Sequence, residues 1–522
     1  MRVLRTGLLI ASALVCSLQV DAARRPEVHS ERNTEGRSAS APMTGRLELV
    51  WGDPGPTAKA AGSTATQLRV TLVADDGSRH PIDPDQALRA AEDLYALFGK
   101  RVAVSTVPAA TKRGGAGGRI VDAIVPVSDL VGSKTREFQP KIAGVTVWAT
   151  LMCKFNDIDT EQKAQSFFQS QYGTAVGQLD HYWQEVSHGQ INLAGSAAYG
   201  WATLPQPRSH YVTKDETTGK DKVDLTKLFE DCIAVHDPNV NFAANGGLQG
   251  VNMMFNGDLD GSAWGGSRCA ALDGVNKCWS TTWNPPWSFN NLAPLSHEMG
   301  HAYGLPHANN SDNDSDTYDN PWDVMSDAWN NGVSNATFGT LPKHINIYSR
   351  NRLGWVAAAR KRTVTAGAGA RSVTLDRASL PGSVNTQMLI LNYPDQSSRY
   401  YTVEVRKRTG SYENRLAGDA VIIHEVQTGR ASPAWSQDAD TPPANRANNE
   451  GSMFKVGETW TSPDYTFRVT VNAVTTNGFV VTVRPAPRAV RAPEAANAPA
   501  VASPREPVAP KRRPLRGGQL LR

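Results

Sequence analysis

The chain has 522 residues, 40% of them hydrophobic and 20% charged, with a formal net charge of +4. That length exceeds one ordinary domain and predicts two or three, with ample apolar material for packed cores. The positive charge is local: residues 487–522 hold eight Arg/Lys against two Asp/Glu, a balance of +6, which leaves the rest of the chain at −2. This excludes a basic nucleic-acid-binding body, and no base-stacking pattern argues for one.

In chain order, Arg2 and Arg5 precede an apolar run over residues 8–20, and Val20-Asp21-Ala22 offers a small-residue cleavage site. Residues 1–22 read as a signal peptide; the run is too short and wrongly flanked for a membrane span. Val15 precedes Cys16 where a lipoprotein signal needs a small residue. The expectation is a secreted protein, extracellular or periplasmic in transit. Residues 23–140 read as a polar segment, then a small β-rich module with strands over 47–51 and 67–73 and a helix over 84–98. A linker, Lys112-Arg113 and Gly114-Gly115-Ala116-Gly117-Gly118, follows. Two readings stand side by side: a prodomain cut near that linker, or a permanent accessory module. The module has no cysteine, so a thiolate cannot silence a metal; a carboxylate could, but no particular one stands out.

Residues 141–360 form the expected catalytic domain. A strand is predicted over 145–155. Leu179, Tyr182, Trp183 and Val186 recur at helical spacing, as do Leu225, Leu228, Phe229 and Cys232. With the signal removed, four cysteines remain, and export permits disulfides. Cys269 and Cys278 close a short loop, leaving Cys153–Cys232 to tie strand to helix; sequence alone allows three pairings.

Residues 297–307 read H-E-M-G-H-A-Y-G-L-P-H. On a helix, His297 and His301 leave the same face, Glu298 lies one step around it, and Gly304 and Pro306 end the helix so that the chain can return His307. Three protein ligands with an open fourth position is the catalytic form of a zinc site. Bound Zn2+ would polarise a carbonyl and acidify water, with Glu298 as general base. Eighteen residues on stands Asp323-Val324-Met325-Ser326. The eleven-residue pattern followed by this methionine resembles the metzincin zinc endopeptidases. The resemblance implies a twisted sheet plus active-site helix, one catalytic zinc, protein or peptide substrates, and Met325 as an apolar floor under the ligands. Some members add a tyrosine two residues past that methionine; here Asp327 stands there, and Tyr303, Tyr318 and Tyr348 remain as substitutes. Phe155-Asn156-Asp157, the stretch over 179–189 and Leu353-Gly354-Trp355 resemble the secreted immune inhibitor A-type peptidases. That family usually has Asp where His307 stands, a position at which this chain is similar to gametolysin-type enzymes. By family analogy, a strand over 251–255 is expected to be the cleft edge that pairs with substrate.

Two acidic clusters are candidate Ca2+ sites: Asn256, Asp258 and Asp260, and Asp312, Asp314, Asp316 and Asp319. A solvated polar loop is the competing reading of each. Residues 361–486 alternate in strand fashion, with an Asn477-Gly478 hairpin signal, and predict a β-sandwich. Residues 487–522, with seven Pro and eight Ala, read as a disordered tail that either is simply solvated or holds the protein to anionic cell surfaces. The fold expectation is therefore α+β: a metzincin-like catalytic domain between an N-terminal module and a β-sandwich, in a monomer. The leading functional expectation is a secreted zinc endopeptidase. The alternatives are a cell-surface or glycan-binding protein with a metallopeptidase-like domain, or a peptidase restricted to glycoproteins.

Overall fold

The computed structural model describes residues 41–60, 66–109, 119–127, 142–314, 316–440 and 449–485. The signal at 1–22, the Lys112-Arg113 linker and the basic tail lie outside the described residues. The architecture is mixed α and β, with a ten-stranded sheet built from residues 43–284 and a two-sheet unit at the C-terminal end. Among the described residues no helix is long and apolar enough to cross a membrane.

The strands of the N-terminal module continue the central sheet, and the module keeps its own core around Leu47, Leu49, Leu72 and Leu94. Met43–Pro54 is a twelve-residue strand that pairs antiparallel with Gln67–Ala74 along most of its length. Its last five residues pair antiparallel on the other side with Ser262–Leu272, from Val50 opposite Gly266 to Pro54 opposite Ser262. Beyond Ser262–Leu272 come Val275–Asn284, Gly250–Phe255, Trp148–Lys154 and Ala197–Thr203. The expected strand over 251–255 exists but is not the cleft edge: Gly250–Phe255 lies in the sheet interior, parallel to both its neighbours and buried along its whole length. An unbroken apolar run suits a strand covered on both faces. Ser262–Leu272 lies between Val275–Asn284 and the N-terminal strand, which pairs with its first five residues.

The helices follow their apolar spacing. Leu179–Ser187 buries Leu179, Tyr182, Trp183 and Val186 and stops at His188, which is left-handed at φ 55°. Leu225–His236 starts at Asp224, whose carboxylate accepts from the Thr226 and Lys227 amides. The helix expected over 84–98 is two pieces, Pro84–Ala90 and a turn of 3-10 helix at Leu94–Leu97. The break occurs where Ala91 turns extended and the Asp93 carboxylate caps the second piece through the Ala96 amide. Cys153 pairs with Cys232, tying a central strand to this second long helix, and Cys269 pairs with Cys278 across a hairpin.

The C-terminal unit packs a six-stranded sheet on a four-stranded one around Leu375, Leu391, Val403, Ile423, Val469 and Val481. The alternation expected over 361–486 appears as the strands Arg371–Asp376, Met388–Tyr393, Gln396–Arg406, Ala420–Gln427, Phe467–Val474 and Gly478–Pro485, with shorter strands beside them. The Asn477-Gly478 turn is looser than a two-residue hairpin, since the strands end at Val474 and resume at Gly478. Trp460 is buried and Trp435 lies under the Arg430 guanidinium, 4.0 Å from its ring centre, so neither forms an open aromatic platform.

The two halves meet through buried charge. Arg406 pairs with Glu413 and lies 4.0 Å from Glu404, and none of the three side chains is more than 1% exposed. Arg406 also donates to the carbonyl of Trp322, just before the expected methionine turn. The Glu404 carboxylate accepts from the Ile347 amide at 3.2 Å. A buried pair that loses one partner leaves an uncompensated charge, which costs about 3–5 kcal/mol. Arg406→Met is therefore expected to lower the melting temperature by roughly 6 °C or more. A variant melting within about 2 °C of the parent would show that the junction adds little.

Candidate metal centre

The motif helix is Leu292–Ala302, and every residue in it is buried. It ends as its sequence requires: Tyr303 closes the last turn, Gly304 takes φ +89°, and the Leu305 amide returns to the Gly300 carbonyl at 3.0 Å. The chain then reverses and brings His307 back beneath the helix. The three Nε2 atoms converge, with His297–His301 at 3.0 Å, His297–His307 at 3.2 Å and His301–His307 at 3.2 Å. Nitrogens about 2.0–2.1 Å from a shared tetrahedral ion would lie about 3.3 Å apart.

Each of the first two rings is fixed from behind. His297 Nδ1 meets the Val324 carbonyl at 2.6 Å and His301 Nδ1 meets that of Leu305 at 2.7 Å. A carbonyl accepts only, so each Nδ1 carries the proton and each Nε2 presents a lone pair. Burial, then the charge of His307, lowers the His301 imidazole to about 3, and burial likewise lowers His307. The Nε2 lone pairs of His297 and His301 therefore face one another at 3.0 Å with no proton between them. A cation satisfies the arrangement, so the residues fit a zinc ion.

Met325 packs against the motif helix at Gly300, where a Cβ would strike its sulfur, so glycine lets the helix rest directly on this side chain. The turn is held by Asp323, which accepts from the Met325 amide at 2.8 Å and the Asn346 amide at 3.2 Å. The Ala308 amide donates to the Met325 carbonyl, and Ala308–Asn309 pairs with Ala434–Ser436 of the C-terminal unit. His307 is thus clamped between the methionine turn and the second half of the molecule. Glu298 sits beside the cluster with Oε2 buried and unpartnered, and burial, then the nearby Asp53 charge, raises its carboxyl well above the ordinary value.

The residue that the sequence did not single out is Asp53. From the end of the N-terminal strand it places Oδ1 2.7 Å from His307 Nε2, and Oδ2 3.2 Å from His301 Nε2 and 3.5 Å from His297 Nε2. Burial opposes its charge, but the neighbouring His307 and His297 imidazoles hold its carboxyl well below the usual range. Trp51 stacks on the His301 ring at 4.8 Å and 9°. Gly52 lets the strand come this close, because a Cβ there would strike the Trp264 ring at 2.5 Å. Of the three candidate tyrosines, only Tyr318 faces the centre: its hydroxyl donates to Asp53 Oδ1 at 2.5 Å, and its ring lies 5.6 Å from that of His307. Tyr303 instead hydrogen-bonds Trp148, and Tyr348 hydrogen-bonds Arg352. Asp327 lies back against Lys343 and the Trp329 and Asn330 amides. A small cavity beside Glu298 is lined by Trp287, Pro294, Ala328 and Trp329 and closed by Pro54 and Lys59 of the N-terminal region.

The two acidic clusters part ways. Asn256 is spent bridging Phe155, Ile158 and Thr160, Asp260 accepts from Trp264, and Asp258 accepts from Gly261, so these three do not form a site. Asp312, Asp314 and Asp319 do come together, while Asp316, which accepts from the Tyr318 amide, stands outside the group. The four cysteines form the two disulfides rather than a metal site.

Comparison with protein-family models, curated proteins and solved structures gives no significant match, so the functional reading rests on this geometry.

Burial pushes the Asp319 carboxyl up to about 8; the Asn310 amide opposes this, and the charges of Asp312, Asp316 and Asp314 add to it. The folded protein then keeps a proton that the unfolded chain releases near the ordinary 3.8. With divalent cations chelated, this contribution to stability is full below that value and is lost as pH rises towards about 8. Melting curves between about pH 5 and pH 8 should show the decline in the parent and a shallower one in Asp319→Asn. Equal slopes would contradict it.

Proposed function

We propose that the chain is a secreted zinc endopeptidase of metzincin type held latent by its own N-terminal strand. One observation carries the reading: three buried imidazole Nε2 atoms converge beside an unpartnered glutamate, and a carboxylate from a distant strand occupies the remaining side. His297, His301 and His307 would hold the ion, which supplies a polarised carbonyl and an acidified water. Glu298 Oε2 takes the proton from that water and delivers it to the leaving amine nitrogen, a role favoured by its raised carboxyl value. The Tyr318 hydroxyl, which now donates to Asp53, is placed to donate to a developing oxyanion instead. Once the N-terminal strand has left, Ser262–Leu272 would offer its edge to an extended peptide, and the Trp287 and Trp329 wall of the cavity would meet a side chain next to the scissile bond. The leader at 1–22 and the two disulfides support an oxidising, extracellular destination.

Asp53 favours the prodomain reading of residues 23–140 over the accessory-module reading. A substrate carbonyl and the Asp53 carboxylate need the same space, and Trp51 and Pro54 occupy the cleft on either side. The test is zinc content and casein hydrolysis for the full chain, Asp53→Ala, Glu298→Ala and the double variant. All four should bind about one zinc. Asp53→Ala should cleave casein roughly tenfold or more faster than the parent, because a buried charged contact is lost, and both Glu298→Ala proteins should stay silent. Silence of Asp53→Ala, and of protein whose N-terminal region has been removed proteolytically, would end the peptidase reading.

A further inference from the structure

The loop between His307 and Met325 contains a second cluster of ligand atoms that the proposed chemistry does not use. One carboxylate oxygen from each of Asp312, Asp314 and Asp319 lies within 4.8 Å of the other two. Asp312 and Asp314 are exposed, but Asp319 is only 3% exposed. Asp319 Oδ1 accepts the Asn310 amide at 2.9 Å, whereas Oδ2 is buried with no hydrogen-bond partner. Among the described residues no lysine or arginine pairs with Asp312, Asp314 or Asp319. An isolated buried carboxylate oxygen beside two further carboxylates is costly unless a cation joins them.

We propose that Asp312, Asp314 and Asp319 bind one calcium ion, which fixes the loop joining the third histidine to the methionine turn. The chemistry selects the ion. All the donors are oxygens, as a hard cation requires, and calcium takes them at about 2.3–2.6 Å. Two oxygens on one such ion lie no more than about 5 Å apart, which the observed spread meets. The exposed side of the cluster leaves room for waters to complete six to eight ligands. Magnesium, which demands near-ideal octahedral geometry and sheds water reluctantly, suits three unevenly exposed carboxylates less well. Hydrogen bonds already set the carboxylates: Asp312 accepts from the Asp314 amide at 3.0 Å and Asp314 from the Asp316 amide at 2.7 Å.

The consequence reaches the metal centre. Asp319 follows Tyr318, whose hydroxyl contacts Asp53. The flanking backbone is sewn to the methionine turn: Ser326 Oγ donates to the Thr317 carbonyl at 2.7 Å and accepts from the Asn320 amide at 3.1 Å. Calcium at Asp319 therefore holds Tyr318 in place. The site itself stands independently of any peptidase activity, because binding and melting are its readouts.

The experiment uses the full chain, chelated and then reloaded with one equivalent of zinc, and titrates CaCl2 while heat of binding and melting temperature are recorded. The parent should bind about one calcium and melt several degrees higher at millimolar calcium, with magnesium giving a much smaller shift. Asp319→Asn should lose the binding heat and the shift, yet melt no lower than the parent in chelator, since the amide brings no charge to the buried position at any pH. A merely structural aspartate would instead lower the melting temperature with or without calcium. If Asp319→Asn fails to fold, Asp312→Asn, altered only at the exposed side of the cluster, should weaken calcium binding about tenfold or more and leave the calcium-free melting temperature unchanged. A parent that binds no calcium at about 10 mM, or an Asp319→Asn or Asp312→Asn protein that binds as tightly as the parent, overturns the proposal.

Discussion

Three imidazole nitrogens converging on a single point form the constraint from which the rest of the molecule can be understood. Two of them, on His297 and His301, present bare lone pairs to each other, because their protons sit on the far sides of the rings, donated to the Val324 and Leu305 carbonyls. Each carbonyl ties the cluster to a different piece of backbone. Leu305 belongs to the reversal after the helix, so the same turn that ends the helix also orients His301. Val324 belongs to the methionine turn, so that turn orients His297 while Met325 supports the helix from below at Gly300. Moving either segment would displace a ring as well as a ligand-bearing loop. The buried carbonyls thus set tautomer and direction together, which is the role outer partners play for ligating histidines.

This dependence explains why the C-terminal unit is more than an appendage. The methionine turn is anchored by Asp323, the backbone before it receives Arg406, and Asn320 Nδ2 lies 3.1 Å from His424 Nε2 on the β-sandwich. The strand after His307 is itself a member of the C-terminal sheet. A polar junction of this kind is poor glue in bulk, because desolvation offsets much of its Coulombic gain, but it fixes relative position well. Position is what a cluster with ring nitrogens 3.0–3.2 Å apart requires.

The parts of this arrangement legible in the sequence were those with a short period or a fixed spacing. The His297/His301 pair, the stop at Gly304, the return of His307 and the place of Met325 are local, and backbone geometry alone carries them. The strands of residues 361–486 alternate cleanly because each has one face on the sandwich core. What could not be read were contacts across long separations. Nothing in the chain marks Asp53 apart from Glu48, Asp75 or Asp76, since its role comes from a strand pairing between residues 50–54 and 262–266. The same pairing merges the N-terminal module into the central sheet, which a glycine-rich linker in the sequence does not suggest. The strand at Gly250–Phe255 was misplaced for a related reason: an apolar run identifies a buried strand but not its neighbours. The acidic clusters look alike in sequence, and only the backbone shows that Asn256 is consumed by bridging while Asp319 keeps an oxygen in hand.

The N-terminal strand answers two physical needs with one segment. Left uncovered, the edge of Ser262–Leu272 would invite pairing with any extended chain, and proteins ordinarily cover or interrupt such edges. Here the cover carries Trp51 onto His301 and Asp53 onto all three imidazole Nε2 atoms, so covering the edge and closing the cluster are a single event. The strand does not depend on that contact alone. The module around Leu47, Leu49, Leu72 and Leu94 has its own core. It is also fastened to the far half of the molecule, where Tyr95 donates to the Ala431 carbonyl and Asp93 pairs with Arg352. A carboxylate held by so many remote contacts is not released by the exchange of one ligand. In the proposed reading, latency of this kind ends by cutting the chain and losing the module, rather than by competition from substrate.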